Sequence, residues 1–183
     1  MATIGDKKYD LFGVKKILIG DPSEDLNEAN FDEIDAKYIT TNTVQLVKPI
    51  PTTTNIDTEG DDAYRTLRDS VDPSQVNFQV YGLPLEYYPL FFGGTYEAGD
   101  DEWSAPDSQE DNFKSIIIYT GETDSTGNQI KITLPYCNVF AGFGGNNLTK
   151  NAIESISVEA YVNSPVGMTA TKKMIIGLTA ATS

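Results

Sequence analysis

Residues 115–134, SIIIYTGETDSTGNQIKITL, decide the reading of this chain. Residues 115–119 are almost entirely β-branched or aromatic, the residue types that fit a pleated surface. In residues 129–134, Ile130, Ile132 and Leu134 alternate with Gln129, Lys131 and Thr133. A period of two puts the apolar set on one face of a strand. Gly121 to Gly127 lie between the two runs, so the stretch predicts a β-hairpin.

The same pattern extends outward in both directions. Residues 155–162 alternate with Ile156, Val158, Ala160 and Val162 on one side, and residues 76–81 with Val76, Phe78 and Val80. Residues 14–19 and 173–178 read as further strands. Residues 37–47 read as the longest strand, ended by Pro49 and Pro51. Helical signals are few. Residues 83–92 carry Leu85, Tyr88 and Phe92 at helical spacing with Gly93-Gly94 as a stop, but Pro89 sits inside, so a short or broken helix is expected. Residues 61–70, with Tyr64 and Leu67, are a second, weaker helical candidate. The sum predicts one domain over residues 1–183, all-β as a β-sandwich or barrel, with one short flanking helix and long acidic loops.

The acidic loops are residues 21–35 and 97–111, each with seven carboxylates and no basic residue. Net charge is −14, and residues 1–112 carry the whole excess, with 23 acids against 8 bases. Such a field repels nucleic acid and argues against a DNA- or RNA-binding module. The start of the chain has no basic region followed by an apolar run, and no apolar run approaches the ~20 residues of a membrane helix. The expectation is a cytosolic product without a membrane anchor, unless it leaves inside a larger particle.

Chemistry finds little to work with. The chain has no histidine, which removes Ser-His-Asp and Cys-His activation and every histidine metal site. The single cysteine, Cys137, excludes an intrachain disulfide and reads as a buried structural thiol. Carboxylate pairs at glycosidase spacing carry no specificity among 27 acids, and the lone Trp103 lies in an acidic stretch. The run Asp57-Thr58-Glu59-Gly60-Asp61-Asp62 resembles a calcium loop, but its glycine falls fourth and its twelfth residue is Arg68. The glycine-rich run at 142–147 lacks a phosphate loop's ending. No enzyme, cofactor or metal site is expected.

Residues 76–96, VNFQVYGLPLEYYPLFFGGTY, carry a family resemblance. An alternating strand runs into a short helix that ends in an apolar-Gly-Gly turn, and this resembles the tail tube (major tail) proteins of long-tailed bacteriophages. An early strand after Asp10-Leu11-Phe12-Gly13 and a late strand over 153–162 fit the same order of elements. The resemblance implies a virion protein of the tail, made in the host cytoplasm. It also implies rings of six copies, stacked into a tube in which strands of neighbouring subunits join into one inner barrel. The implied partners are other copies of the chain, a tape-measure protein and a terminator, with DNA passing in transit and not bound.

An anionic bore repels phosphates, which lets a genome pass unhindered. Asp57, Glu59, Asp61 and Asp62 are the candidate lumen acids. Leu85, Tyr87, Tyr88, Leu90, Phe91 and Phe92 concentrate apolar bulk in eight residues and are the candidate self-association residues. Two other readings stand beside this one: a β-sandwich module binding carbohydrate or protein, and the tube protein of a contractile injection or type VI secretion system.

Overall fold

The computed structural model describes residues 13–22, 26–50, 53–58, 61–68, 73–108, 111–122, 128–144, 155–167 and 172–180; the side chains of 53–58, 61–68 and 122 lie outside that description. Among the described residues twelve strands follow one another: β1 (Val14–Gly20), β2 (Asp32–Asp35), β3 (Gln45–Val47), β4 (Thr53–Thr58), β5 (Asp61–Arg68), β6 (Gln75–Tyr81), β7 (Thr95–Glu97), β8 (Glu102–Ser104), β9 (Phe113–Glu122), β10 (Asn128–Phe143), β11 (Ser155–Val162) and β12 (Ile175–Ala180). One short helix, α1 (Tyr88–Phe92), stands between β6 and β7.

Eight strands make one antiparallel sheet in the order β2-β1-β9-β10-β11-β6-β3, and β12 joins it alongside β10. The all-β fold expected from the sequence is therefore present, as a sheet that curls without closing into a barrel. Val14 of β1 and Leu46 of β3 line one groove although five strand steps separate them. A flat sheet would hold them about 24 Å apart at ~4.8 Å per step. A bridge between Ile39 and Val80 ties the chain beyond β2 back to β6.

The hairpin of β9 and β10 is the spine, with Ile118 opposite Ile132 and Ile116 opposite Leu134. Its three successive isoleucines are buried on both faces, which explains a continuous apolar run where a half-exposed strand would alternate. Ile116 and Ile118 join the main core with Ile17, Ile19, Phe78, Val80, Val158 and their neighbours. Ile117 and Tyr119 pack on the opposite face with Leu18 under Phe31. Gly20 permits that cover: a Cβ there would lie 3.0 Å from the Asn30 carbonyl oxygen and 3.1 Å from the Phe31 ring.

Strand β10 changes neighbours halfway. Proline cannot donate to a ladder, and at Pro135 the register slips, so that Pro135 and Tyr136 together oppose Ser115. The Ser115 hydroxyl donates to the Pro135 carbonyl at 2.6 Å. Before this bulge β10 pairs with β12, and after it with β11. Cys137 sits just past the bulge, in mid-strand, and is buried as expected.

Several expectations are corrected. Residues 37–47 do not form one strand. A 3-10 turn at Ala36–Tyr38 leads to a turn in which the Thr40 carbonyl accepts the Thr43 hydroxyl at 2.7 Å, and only the short β3 follows. A threonine that bonds locally competes with the sheet ladder. Residues 61–70 are not helical, since β5 pairs with β4 from Thr53↔Arg68 to Thr58↔Asp61. The acidic stretch 21–35 is not all loop, for it holds a 3-10 turn at Glu28–Asn30 and strand β2. The stretch 97–111 contains β8, which pairs with β7 as a small hairpin.

The helix expected over 83–92 is present in broken form. A 3-10 turn at Leu85–Tyr87 follows Pro84, and α1 starts afresh so that Pro89 falls in its first turn, where a missing N–H costs little. Gly94 must be glycine: its φ is +79°, and a Cβ would lie 2.2 Å from the Ser104 carbonyl oxygen.

Candidate self-association surface

The candidate association residues turn out to be anchored in their own subunit. Phe91 is buried and meets Phe78 edge-on at 6.2 Å. Tyr87, Tyr88, Leu90 and Phe92 are half-buried against the same core, and Leu85 is half-buried beside them. Trp103 of β8 donates its indole N–H to the Gly93 carbonyl at 2.9 Å and packs on Tyr88 and Phe92. Phe143 stacks on Phe92 at 4.8 Å. The rings of this cluster meet at interplanar angles between 22° and 61°, so they form a packed knot and not a flat platform.

Of the candidate lumen acids, Asp57 lies on β4 and Asp61 and Asp62 on β5, close to the tip of a two-stranded hairpin. Glu59 lies outside the described residues, as do the side chains of the other three.

Four acids of 21–35 find bases, three of them on strands β1, β9 and β10. Lys114 pairs with Asp21 at 2.6 Å, Lys16 with Glu33 at 2.7 Å, and Lys37 with Asp35 at 2.9 Å. Glu28 accepts from the ammonium of Lys131 and, at 2.5 Å, from the hydroxyl of Tyr119. Burial alone would raise the Glu28 carboxyl, but the hydrogen bonds from Lys131 and Tyr119 and the charges of Lys131 and Lys16 outweigh it and hold the group below its ordinary value. Tyr119 is pushed well above the ordinary phenol range, first by burial and then by the bond it donates to Glu28. This cluster straps the Glu28–Asn30 turn across β9 and β10.

The apolar surface that remains open lies at the other side of the sheet. Strand β12 pairs only with β10 among the described residues, so its outer edge has no ladder partner there. Ile175, Ile176 and Leu178 on it are 40%, 59% and 48% exposed. Register puts Ile176 opposite Ile132 and Leu178 opposite Ile130, so the row Ile118–Ile132–Ile176 continues the core face of the sheet into open surface. Beside this row is a groove of about 400 Å³, lined chiefly by Val14, Val44, Leu46, Val76, Ile118 and Ile132. Leu46 belongs to β3, the free end of the main sheet. Sequence reasoning finds β12 as a strand but not its exposure.

Among the described residues no three carboxylates or thiols converge on a metal-sized site, and no helix is long and apolar enough to cross a membrane.

No family model and no curated protein matches this chain. Among solved structures it is similar to the sheath/tube terminator of an extracellular contractile injection system in its extended state, at 11% identity and a TM-score of 0.41, over 93% of this chain and 98% of that one. It is also similar to the tube-terminating cap of the anti-feeding prophage, at 10% identity and a TM-score of 0.40, over 98% of this chain and 100% of the cap. Likenesses of this degree decide no function.

Proposed function

We propose that this chain is a non-enzymatic structural subunit that assembles with copies of itself, by strand addition at free sheet edges, into the stacked rings of a phage-type tail tube. The observation that carries the reading is β12, an edge strand with aliphatic side chains exposed on both faces and no ladder partner on its outer side among the described residues. Long apolar edges invite pairing with another chain, and monomeric proteins blunt them with charge, proline or bulges. Strand β12 has none of these. Covering three roughly half-exposed aliphatic side chains contributes about 1 kcal/mol apiece, and each edge hydrogen bond adds about 1 kcal/mol. The hairpin of β4 and β5 points the same way, because an isolated two-stranded ribbon is marginal in water and gains from a covering neighbour.

Six copies per ring, a tape-measure protein inside and a terminator at the end come to this chain from the family resemblance of residues 76–96. The hairpin acids Asp57, Glu59, Asp61 and Asp62 belong in this reading on or near the bore. Neutralising them in pairs and measuring DNA release tests that placement, and unchanged release discards it. The absence of histidine and the burial of the one thiol, whose pKa burial pushes up to about 12, support a structural role over a catalytic one. A carbohydrate-binding reading finds less support, since the rings around Trp103 are packed on one another at steep angles.

Electron microscopy of the purified protein across a concentration series tests the reading. Rings or tubes of uniform bore are expected; a single compact subunit at every concentration would discard it.

A further inference from the structure

A sheet edge receives another strand where nothing blunts it, and charged residues along an edge are such a guard. Among the described residues, the strands with an open ladder side are β2 and β3 at the two ends of the main sheet, β12, and the members of the ribbons β4–β5 and β7–β8. Strand β2 carries three carboxylates in four residues, and β4, β5, β7 and β8 each carry at least one. Only β3 and β12 contain no charged residue.

These two edges also match in their side chains. Val44 and Leu46, two residues apart, line the groove of about 400 Å³ together with Val76 and Ile132, and Leu46 is exposed. On β12, Ile176 and Leu178 stand two residues apart on the face that continues the core, and both are exposed. Side chains alternate along a strand, so a β12 laid on β3 with its core face inward turns both toward that groove. Holding that face inward lets the register move only in steps of two, which brings Leu46 beside Ile176 or beside Leu178.

The incoming strand does not come from the same subunit. There β12 is held on β10 from Asn128↔Ala180 to Thr133↔Ile175, while β11 and β6 stand between β10 and β3. Strand β6 occupies the side of β3 that looks toward β10, so the free side of β3 is out of reach of its own β12.

We propose that β12 of one copy adds to the free edge of β3 in the next copy, with Ile176 and Leu178 seated in the apolar groove that β3 borders. Each copy offers one β12 and one β3, so the same contact repeats from copy to copy. This rests on the self-assembly reading and names the edge that receives β12.

Hydrogen–deuterium exchange in the parent chain, at the amides of Gln45 to Val47, tests it by comparing the dispersed subunit with the assembled particle. Protection of at least about fivefold is expected at the β3 amides not already bonded to β6, with the β2 amides unchanged. Particles in which β3 exchanges at the subunit's rate while β12 becomes protected would overturn this proposal and leave the self-assembly reading standing. Absence of particles, and of oligomers by light scattering, would overturn both. As a second measurement, Leu46→Cys copies are mixed with isotope-labelled Ile176→Cys or Leu178→Cys copies, assembled and then oxidised, the native Cys137 being buried. A disulfide-linked peptide pair from one labelled and one unlabelled chain, joining position 46 to 176 or 178, is expected in at least one mixture. Particles from both mixtures without that pair would sink the strand pairing.

Discussion

The two sides of β10 contrast. Toward β9 and β1 the sheet is finished on both faces: Ile116 and Ile118 look into the core, while Ile117 and Tyr119 look outward and are covered by Phe31 and strapped by Glu28. Toward β12 the same kind of aliphatic strand is left open on both faces. The residue types are alike, so composition does not explain the difference. A covering segment does: residues 26–35 return across β1 and β9, and no described residue plays that part for β12. In the proposed assembly, this uncovered apolar strand is the one that takes up another chain.

The contrast can be broken or sharpened by substitution on each side. The largest effect belongs to the covered core. Ile116→Ala removes a fully buried side chain and is expected to cost about 3 kcal/mol in urea unfolding. A cost near zero would mean that the β9 face is not packed as described. Gly20→Ala comes next at about 1–2 kcal/mol, because the added Cβ must push aside Asn30 and Phe31. If it stabilises instead, the Phe31 cover is looser than its contacts imply.

The Glu28 strap is smaller and depends on pH. Its carboxyl is held below the ordinary value, so its contribution is fully present above the unfolded carboxylate pKa and is lost as pH falls through the lowered native value. Unfolding midpoints measured from pH 7 downward are expected to lose less in Glu28→Gln than in the parent chain. Because Glu28 is partly exposed, the cost of that substitution at neutral pH stays below about 1 kcal/mol. Identical pH profiles would remove the strap from the account.

The smallest effect on the subunit and the largest on its association coincide in Ile176→Asp. Subunit stability is expected to change by about 0.5 kcal/mol or less, as for exposed positions. Assembly, followed by sedimentation, is expected to disappear. Assembly at the parent concentration would leave β12 without a role.

Much of the fold is legible in the residues themselves. The alternation of Ile156, Val158, Ala160 and Val162 marks β11 to its ends, and that of Val76, Phe78 and Val80 marks β6. Local patterns fail where a long-range partner decides. Residues 21–35 read as a solvated acidic loop because their bases, Lys16, Lys114 and Lys131, come from other strands. Nothing nearby in sequence announces that Phe78 and Trp103 will pack against the turn and helix that carry Tyr87, Tyr88 and Phe91. The exposure of Ile176 was hidden for the same reason: adjacent isoleucines look the same whether a segment returns to cover them or not.

Hydrogen–deuterium exchange at the backbone amides of β12, compared between the dispersed subunit and the assembled particle, tests most directly whether that strand completes its bonding on another copy. Strand addition predicts rapid exchange at its outward-facing amides in the subunit and protection of at least tenfold after assembly. Rings or tubes that form while those amides go on exchanging at the subunit's rate would contradict it.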